Sequence, residues 1–437
     1  MHQRAFGPSW LLNLKASRPF VLARLETFVD LSRWTCLEPC LWQLHPGNAP
    51  GALLMAHGSR SHLEAIDELA AQQAAAIAAL DGLMTPVHLL PDAHGGFGLP
   101  HGSVFGFDPA AAQIVLSGAA EFDHAFGMRV LRSNLQEEQL LPELLALAAD
   151  LQLVVAGPPP TPRSLDGLLV GGAHWAVEQG WGFLEDLSFC EERGAYHGCD
   201  PACVDEPLRE RWSDQLQLPA LGNQQLELHV VDQCLDAELA RAFGLQVHQV
   251  LAAIHAGSAN LGPMLAHGLQ GELGSKNLNA IPLESPLGQR ALQQTQIALN
   301  CASALRQVLS HRFREVVARF WPTSVFSVLC DFAHNSFRHE AHLLGHDSVE
   351  LWVQRCGAVR AYGPSHGDLR DALNPPGTAV LLGGALGGPT ELICGVDSAE
   401  QLALSSTICG IGAVAEAEQA GLCRRVARLR PLLCLQG

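Results

Sequence analysis

Three runs of apolar and β-branched residues constrain this chain most: ELHVVD at 227–232, QVLAAIHAGS at 249–258 and VFSVLCDFAHN at 325–335. Each is strand-length, too apolar for a solvated face, and passes directly into polar residues, so each reads as a buried strand that delivers a loop. The second and third runs end at His255 and His334. Between them, residues 285–321 keep a helical pattern that starts after Ser285 and is stopped by Pro322. No internal repeat is present, which argues against solenoids and propellers.

Other segments punctuate this frame. Residues 1–48 mix Trp, Pro and Cys without periodicity and run into HPGNAPG, so they read as an N-terminal extension to one large domain spanning 49–437. Ser61 and Glu64 form a capping-box pattern, and Leu63, Ile66, Leu69 and Ala70 share one face, predicting a helix from Ser61 to Gly82. LLPDAHGGFGLPHGSVFGFD, at 89–108, is too glycine-rich for a helix. A Leu/Ala helix is expected between about 134 and 160, ending in GPPPTP.

Composition narrows function by exclusion. Lys and Arg number 27 against 44 Asp and Glu, a net charge of −17, which leaves room only for a local basic groove toward nucleic acid. Lys15 and Lys276 are the only lysines, so a lysine-nucleophile nucleotidyl transferase is nearly excluded. Thirteen irregularly spaced cysteines, no long apolar span and no secretory leader pattern point to reduced thiols in the cytoplasm. His197, Cys199 and Cys203 could bind zinc but lack a fourth ligand, so an ordinary loop is expected there. The arginine runs HRFREVVAR and CRRVARLR are expected to be solvated element faces rather than an RNA track.

Two strand-end histidines and Asp123, in EFDHAFGMR, could converge on a metal ion. Eight blocks add to that reading: LLPDAHGGFGLPHGS, EFDHAFGMRVLRSNL, LGNQQLELHVVDQCLDAELARAFGLQ, IHAGSANLG, DFAHNSFRHE, RCGAVRAYGP, SSTICGIGA and VARLRPLLCLQG. In this order, from about residue 50 to Gly437, they resemble the signature blocks of the RtcB family, GTP- and manganese-dependent RNA-splicing ligases. Members join an RNA 3′-phosphate or 2′,3′-cyclic phosphate to a 5′-hydroxyl. The resemblance implies an RtcB-type α+β fold, with mixed sheets and flanking helices around a central cleft.

The same resemblance locates departures. Asp123, His255 and His334 match metal-ligand positions, whereas Phe126 stands for the bridging cysteine and Gln224 for a further histidine. The guanylylated histidine of the family is replaced by Cys409. Basic phosphate-binding positions are occupied by Ala259, Cys356, Ala413 and Ala417, and the guanine-contacting lysine by Gln436. Asn223, Glu227 and Arg360 match cofactor-binding positions; Asp92, His94 and Arg129 match too, and are expected to hold loops and hydrogen-bond networks.

The expectation is a divergent homologue with ligation lost or much reduced, one retained divalent ion, taken as manganese, and losses that count against GTP. RNA binding should be weak and indifferent to a 3′-phosphate end. A single-ion phosphoester hydrolase and a non-catalytic protein partner are the alternatives.

Overall fold

The computed structural model describes residues 31–44, 53–64, 66–96, 98–117, 125–155, 165–216, 225–273, 278–369, 376–383, 390–410 and 413–436. The three predicted strands appear as Gln225–Cys234, Gln249–Ala256 and Phe326–Ala333. All three enter one antiparallel sheet. Its order is Phe326–Ala333, Gly127–Gln136, Gln249–Ala256, Gln225–Cys234, Arg424–Gln436, Thr390–Cys394, Ala379–Leu382.

A second sheet runs Trp34–Glu38, Leu41–Leu44, Leu54–His57, Val87–His94, His101–Phe107, Asp347–Cys356, Asn335–Leu344. Among the described strands of this sheet, Leu54–His57 and Val87–His94 pair in parallel and the other pairs are antiparallel. The glycine-rich 89–108 segment therefore forms most of a strand pair. Residues 34–44, placed by sequence in an extension, form a hairpin that pairs with Leu54–His57, so this part is continuous with the sheet.

The long helix spans Pro286–Phe320, and the Ser285 hydroxyl accepts the Gly288 amide at 3.0 Å. Its buried residues include Asn300, Arg306 and Gln307, which are polar because they hold neighbouring elements. Asn300 accepts the Tyr196 amide at 2.7 Å and donates to the Leu169 carbonyl at 3.0 Å. Arg306 donates to both oxygens of Asp331 and to the Ala256 carbonyl, and Gln307 donates to the Asp186 carboxylate at 2.8 Å. Arg129 completes the cluster, donating to Asp331 and to Gln307. The expectation of a network-holding role for Arg129 agrees with this placement.

The helix predicted from Ser61 is instead two. Arg60–Leu63 is capped by Ser59, and Glu68–Ala78 by Asp67, whose carboxylate accepts the Ala70 amide at 2.8 Å and the Gly95 amide at 2.9 Å. Asp67 serves as cap and as anchor for the 95–96 turn, so the chain breaks ahead of it. Leu69, assigned to the buried face, is 50% exposed. The Leu/Ala helix expected from 134 begins later: strand continues to Gln136, and the main helix is Leu144–Val155. GPPPTP lies outside the described residues. Among the described residues, no helix is long and apolar enough to cross a membrane.

Two predictions follow from buried charge. Asp331 is 3% exposed between Arg129 and Arg306, so Asp331→Asn leaves both guanidiniums without a counter-ion in the core. The expected loss is about 3–5 kcal/mol in urea denaturation, against about 1 kcal/mol or less for Arg424→Gln in its exposed pair with Asp236.

The second concerns His57 and His88, buried with ring nitrogens 3.2 Å apart. Burial lowers His57 from 6.5 to about 4, and burial together with His57 lowers His88 to about 3. Both folded values lie below the unfolded one, so unfolding takes up protons in this window. Stability should be full above pH 6.5 and fall as the pH drops toward about 4. Replacing both residues with Leu should flatten the urea midpoint against pH between 7 and 5.

Candidate functional site

Antiparallel pairing sets Ala256 and Ala333 on either side of Gly127, bringing three strand ends together. Phe126, His255 and His334 therefore meet. The His334 amide donates to the Phe126 carbonyl at 3.0 Å, and the Phe126 ring stacks on His255 with centroids 4.9 Å apart. His255 Nε2 and His334 Nε2 lie 3.2 Å apart.

Two nitrogens each at about 2.1 Å from one ion stand roughly 3–3.4 Å apart, so this pair suits a shared divalent cation. Burial first, then His255 and Arg306, pushes His334 down to about 3, keeping the imidazole neutral as a ligand must be. His334 Nδ1 is buried without a hydrogen-bond partner, so the outer contact that usually orients a ligating histidine is missing on that side. Asp123 lies outside the described residues, as do Asn223 and Gln224. Among the described residues, no group of three or more His, Cys, Asp or Glu side chains is arranged to hold a metal ion.

Hydrogen bonds lead from this pair to Cys409. The His334 carbonyl accepts the Ala358 amide at 3.1 Å, Asn335 Oδ1 accepts the Gly357 amide at 2.8 Å, and the Gly357 carbonyl accepts Cys409 Sγ at 3.1 Å. Asp92 Oδ2 in turn accepts the amides of Cys409 and Gly410, at 3.1 and 2.8 Å. Asp92 thus shapes the turn that presents Cys409, while its Oδ1 is buried without a partner.

Burial raises the Asp92 carboxyl to about 6 against those amide bonds. Burial, then the Asp92 charge and Cys356, pushes the Cys409 thiol well above 9. A thiol in such surroundings is a poor nucleophile because the thiolate is scarce at neutral pH. Cys356, Ala413 and Ala417 are all buried in hydrophobic clusters, and Ala259 is partly buried beside Trp212. His94 stacks on His101, centroids 5.2 Å apart.

The other cofactor candidates are occupied by protein partners. Glu227 sits on the strand beside His255; its carboxylate takes the His229 Nε2 contact at 2.9 Å and accepts Cys434 Sγ at 3.4 Å. Arg360 donates to Glu192 at 3.0 Å and to the Tyr362 hydroxyl at 3.3 Å, with Glu191 at 3.7 Å. Strand Arg424–Gln436 carries Gln436 beside Gln225 in register.

With this geometry in place, the comparisons are specific. The profile of the family described as tRNA-splicing ligase RtcB matches residues 73–415. The chain belongs to the RtcB family. It is 32% identical over 399 residues to the tRNA-splicing ligase RtcB of Archaeoglobus fulgidus, covering 85% of this chain and 82% of the relative. The Thermococcus kodakarensis tRNA-splicing ligase RtcB is 31% identical, with 84% and 80% covered. RNA-splicing ligase RtcB homolog 1 of Entamoeba dispar is 30% identical, with 78% and 68% covered. The RtcB-type α+β fold expected from the sequence is the one observed.

Other motifs settle locally within this RtcB fold. Cys199 Sγ donates to the Tyr196 carbonyl at 3.3 Å within its own loop, and Cys203 Sγ to Gln293 of the long helix at 2.9 Å. In the arginine runs, Arg314 pairs with Asp186, Arg424 with Asp236, Arg425 and Arg428 with Glu391, and Arg430 with Glu137; Arg314 is largely buried in its pair, unlike the solvated face expected for that run.

Sequence reading missed one feature, the segment Glu191–Gly194. Glu192 and Arg193 adopt φ of 51° and 52°, and Gly194 follows at 88°. Left-handed backbone costs a residue with a side chain roughly 1–2 kcal/mol. Gly172, φ 52°, permits the close approach, because a Cβ there would lie 2.3 Å from the Gly194 carbonyl. The only sequence signal was the charge run EER.

The raised thiol pKa gives a direct test. Iodoacetamide should alkylate Cys409 far more slowly at pH 7.5 than the exposed Cys36, with the rate still climbing above pH 9, as read by peptide mass spectrometry. Fast labelling at neutral pH would show a thiolate and contradict the surroundings described here.

Proposed function

We propose that this RtcB-family protein has lost most or all RNA-end ligation by the guanylate route, while keeping one divalent-ion site at Asp123, His255 and His334. The observation that carries the reading is the pairing of Cys409 with Asp92. A half-buried thiol beside an acid, without basic side chains at positions 356, 413 and 417, lacks what would activate it toward a nucleotide. The 3.2 Å spacing of His255 and His334 supports an ion, and Phe126 against His255 supports one ion rather than two, since a phenyl ring cannot ligate. A bound divalent ion, manganese in this proposal, would supply a Lewis acid for a phosphoryl oxygen.

Around that ion, the protein's own groups bind and orient. Asn223, Glu227 and Arg360 are the proposed contacts to a remaining nucleotide, and Asp92 holds the 409–410 turn. With a net charge of −17 and the cations gone from the pocket, RNA binding is weak, salt-dependent and without preference for a 3′-phosphate. All thirteen cysteines are unbridged, which supports a reducing, cytoplasmic setting, and a protein partner fits a chain that no longer ligates.

One feature favours a second reading, phosphoester hydrolysis at the same ion: Asp92, held at about 6, can carry a proton near neutral pH.

Incubation with labelled GTP and manganese, then denaturing electrophoresis, should give no labelled protein, and metal analysis should give one ion per chain that His334→Ala loses. A covalent guanylate band would sink the proposal. Phosphate release from an RNA 3′-phosphate would select hydrolysis.

A further inference from the structure

Beside His334, two arginines face each other across the Glu191–Gly194 segment. Arg338 lies on strand Asn335–Leu344 and is 6% exposed; Arg360 ends strand Ala358–Arg360. Glu192 contacts Nη1 of both, while Glu191 accepts from Arg338 Nη2 at 2.9 Å and from the Ala333 amide at 3.1 Å. Tyr196 and Tyr362 floor the pair, with guanidinium carbons 4.5 and 5.0 Å from their ring centres.

Three features distinguish this cluster from an ordinary structural ion pair. First, the Glu192 side chain is 40% exposed, whereas those of the arginines are 6% and 12% exposed, so the carboxylate stands between them and solvent. Second, the backbone bearing it is strained at Glu192 and Arg193, and strain of this kind collects where a segment has a second arrangement available. Third, Arg338 Nε is a buried donor with no partner, so the carboxylates leave the guanidinium incompletely satisfied. A tetrahedral phosphoryl group offers more acceptor oxygens than one carboxylate and suits two guanidinium forks.

We propose that Arg338 and Arg360 form a phosphoryl-binding site that Glu192 occupies as an internal competitor, and that ligand binding displaces the Glu192–Gly194 segment while Glu191 stays in place. The inference deepens the reading of Arg360 as a ligand contact and rests on that reading for this one residue. It requires neither the ion nor the guanylate chemistry. Glu191 stays with Arg338 and the Ala333 amide, so exchange at Glu192 leaves Arg338 paired. Glu340, which also lies 3.7 Å from Arg360, is held bidentately by Arg355 and is not a competitor for the ligand.

The test is isothermal titration with inorganic pyrophosphate in EDTA, so that metal binding plays no part, using wild-type protein and Glu192→Gln. Removing the competing charge should tighten binding at least tenfold, and Arg360→Gln added to Glu192→Gln should abolish the gain. Equal affinities for wild type and Glu192→Gln would overturn the proposal.

Hydrogen exchange on the wild-type protein guards against a variant that fails to fold. Saturating pyrophosphate should speed exchange of the Arg193 and Ala195 amides, which bond the Cys190 and Glu192 carbonyls in the occupied state. Unchanged exchange would count against displacement. Repeating the titration with otherwise identical RNAs ending in 3′-phosphate or 3′-hydroxyl identifies the source of the phosphoryl group. Tighter binding of the phosphorylated end by Glu192→Gln alone names an RNA end, whereas a gain for pyrophosphate only names a free polyphosphate. Failure of the guanylate or metal experiments would leave these results untouched.

Discussion

The site depends on one buried ion cluster. Asp331, with Arg129 on one side and Arg306 on the other, joins strand Phe326–Ala333 to strand Gly127–Gln136 and to the long helix. Arg306 also reaches the Ala256 carbonyl, at the end of the strand carrying His255. The three strand ends that present Phe126, His255 and His334 are therefore fastened to a single helix. Ion pairs this deep are costly to desolvate and contribute little net stability against apolar packing, but they are strongly directional. Here direction matters, because imidazole nitrogens a few ångströms apart must be aimed at one point.

From that frame, two kinds of polar group separate. Some are consumed by structure, such as the acids tying down Arg424, Arg425, Arg428 and Arg430 across the last strand. Others are left incompletely satisfied in buried positions, among them Asp92 Oδ1, His334 Nδ1 and Arg338 Nε. Buried polar atoms without partners are rare in folded proteins. These three are tied into one region by the hydrogen bonds running through Asn335, Gly357, Cys409 and Glu191. RtcB membership names the activity of the relatives, while these groups describe the chemistry this chain's own site can offer. Around Cys409 the described neighbours are Asp92 and Cys356, while Arg338 and Arg360 supply basic groups where two glutamates already sit.

The strands and the long helix were legible because burial imposes a local pattern. ELHVVD, QVLAAIHAGS and VFSVLCDFAHN had to be strands once their apolar runs ended in polar loops, and Ser285 and Pro322 marked the helix boundaries. The break at Asp67 was not legible. Ser61 and Glu64 gave a valid local cap signal, and it was overridden by the Asp67 carboxylate bonding the Gly95 amide 28 residues away. The hairpin at 34–44 escaped for a similar reason: its register comes from pairing with Leu54–His57, beyond the span of any local pattern.

The sequence by itself determined the strands that carry His255 and His334 and the boundaries of the long helix, and its likeness to the RtcB blocks carried the α+β class. These are properties of residue identity and short-range periodicity. Only the tertiary structure decided that Cys409 shares its turn with Asp92, that Phe126 stacks on His255, and that Glu192 stands between Arg338 and Arg360. Glu192 and Arg360 are 168 positions apart, and Asp92 and Cys409 are 317. Charge, burial and proton affinity in such pairs arise from contacts across the fold, and no local pattern in the chain encodes them.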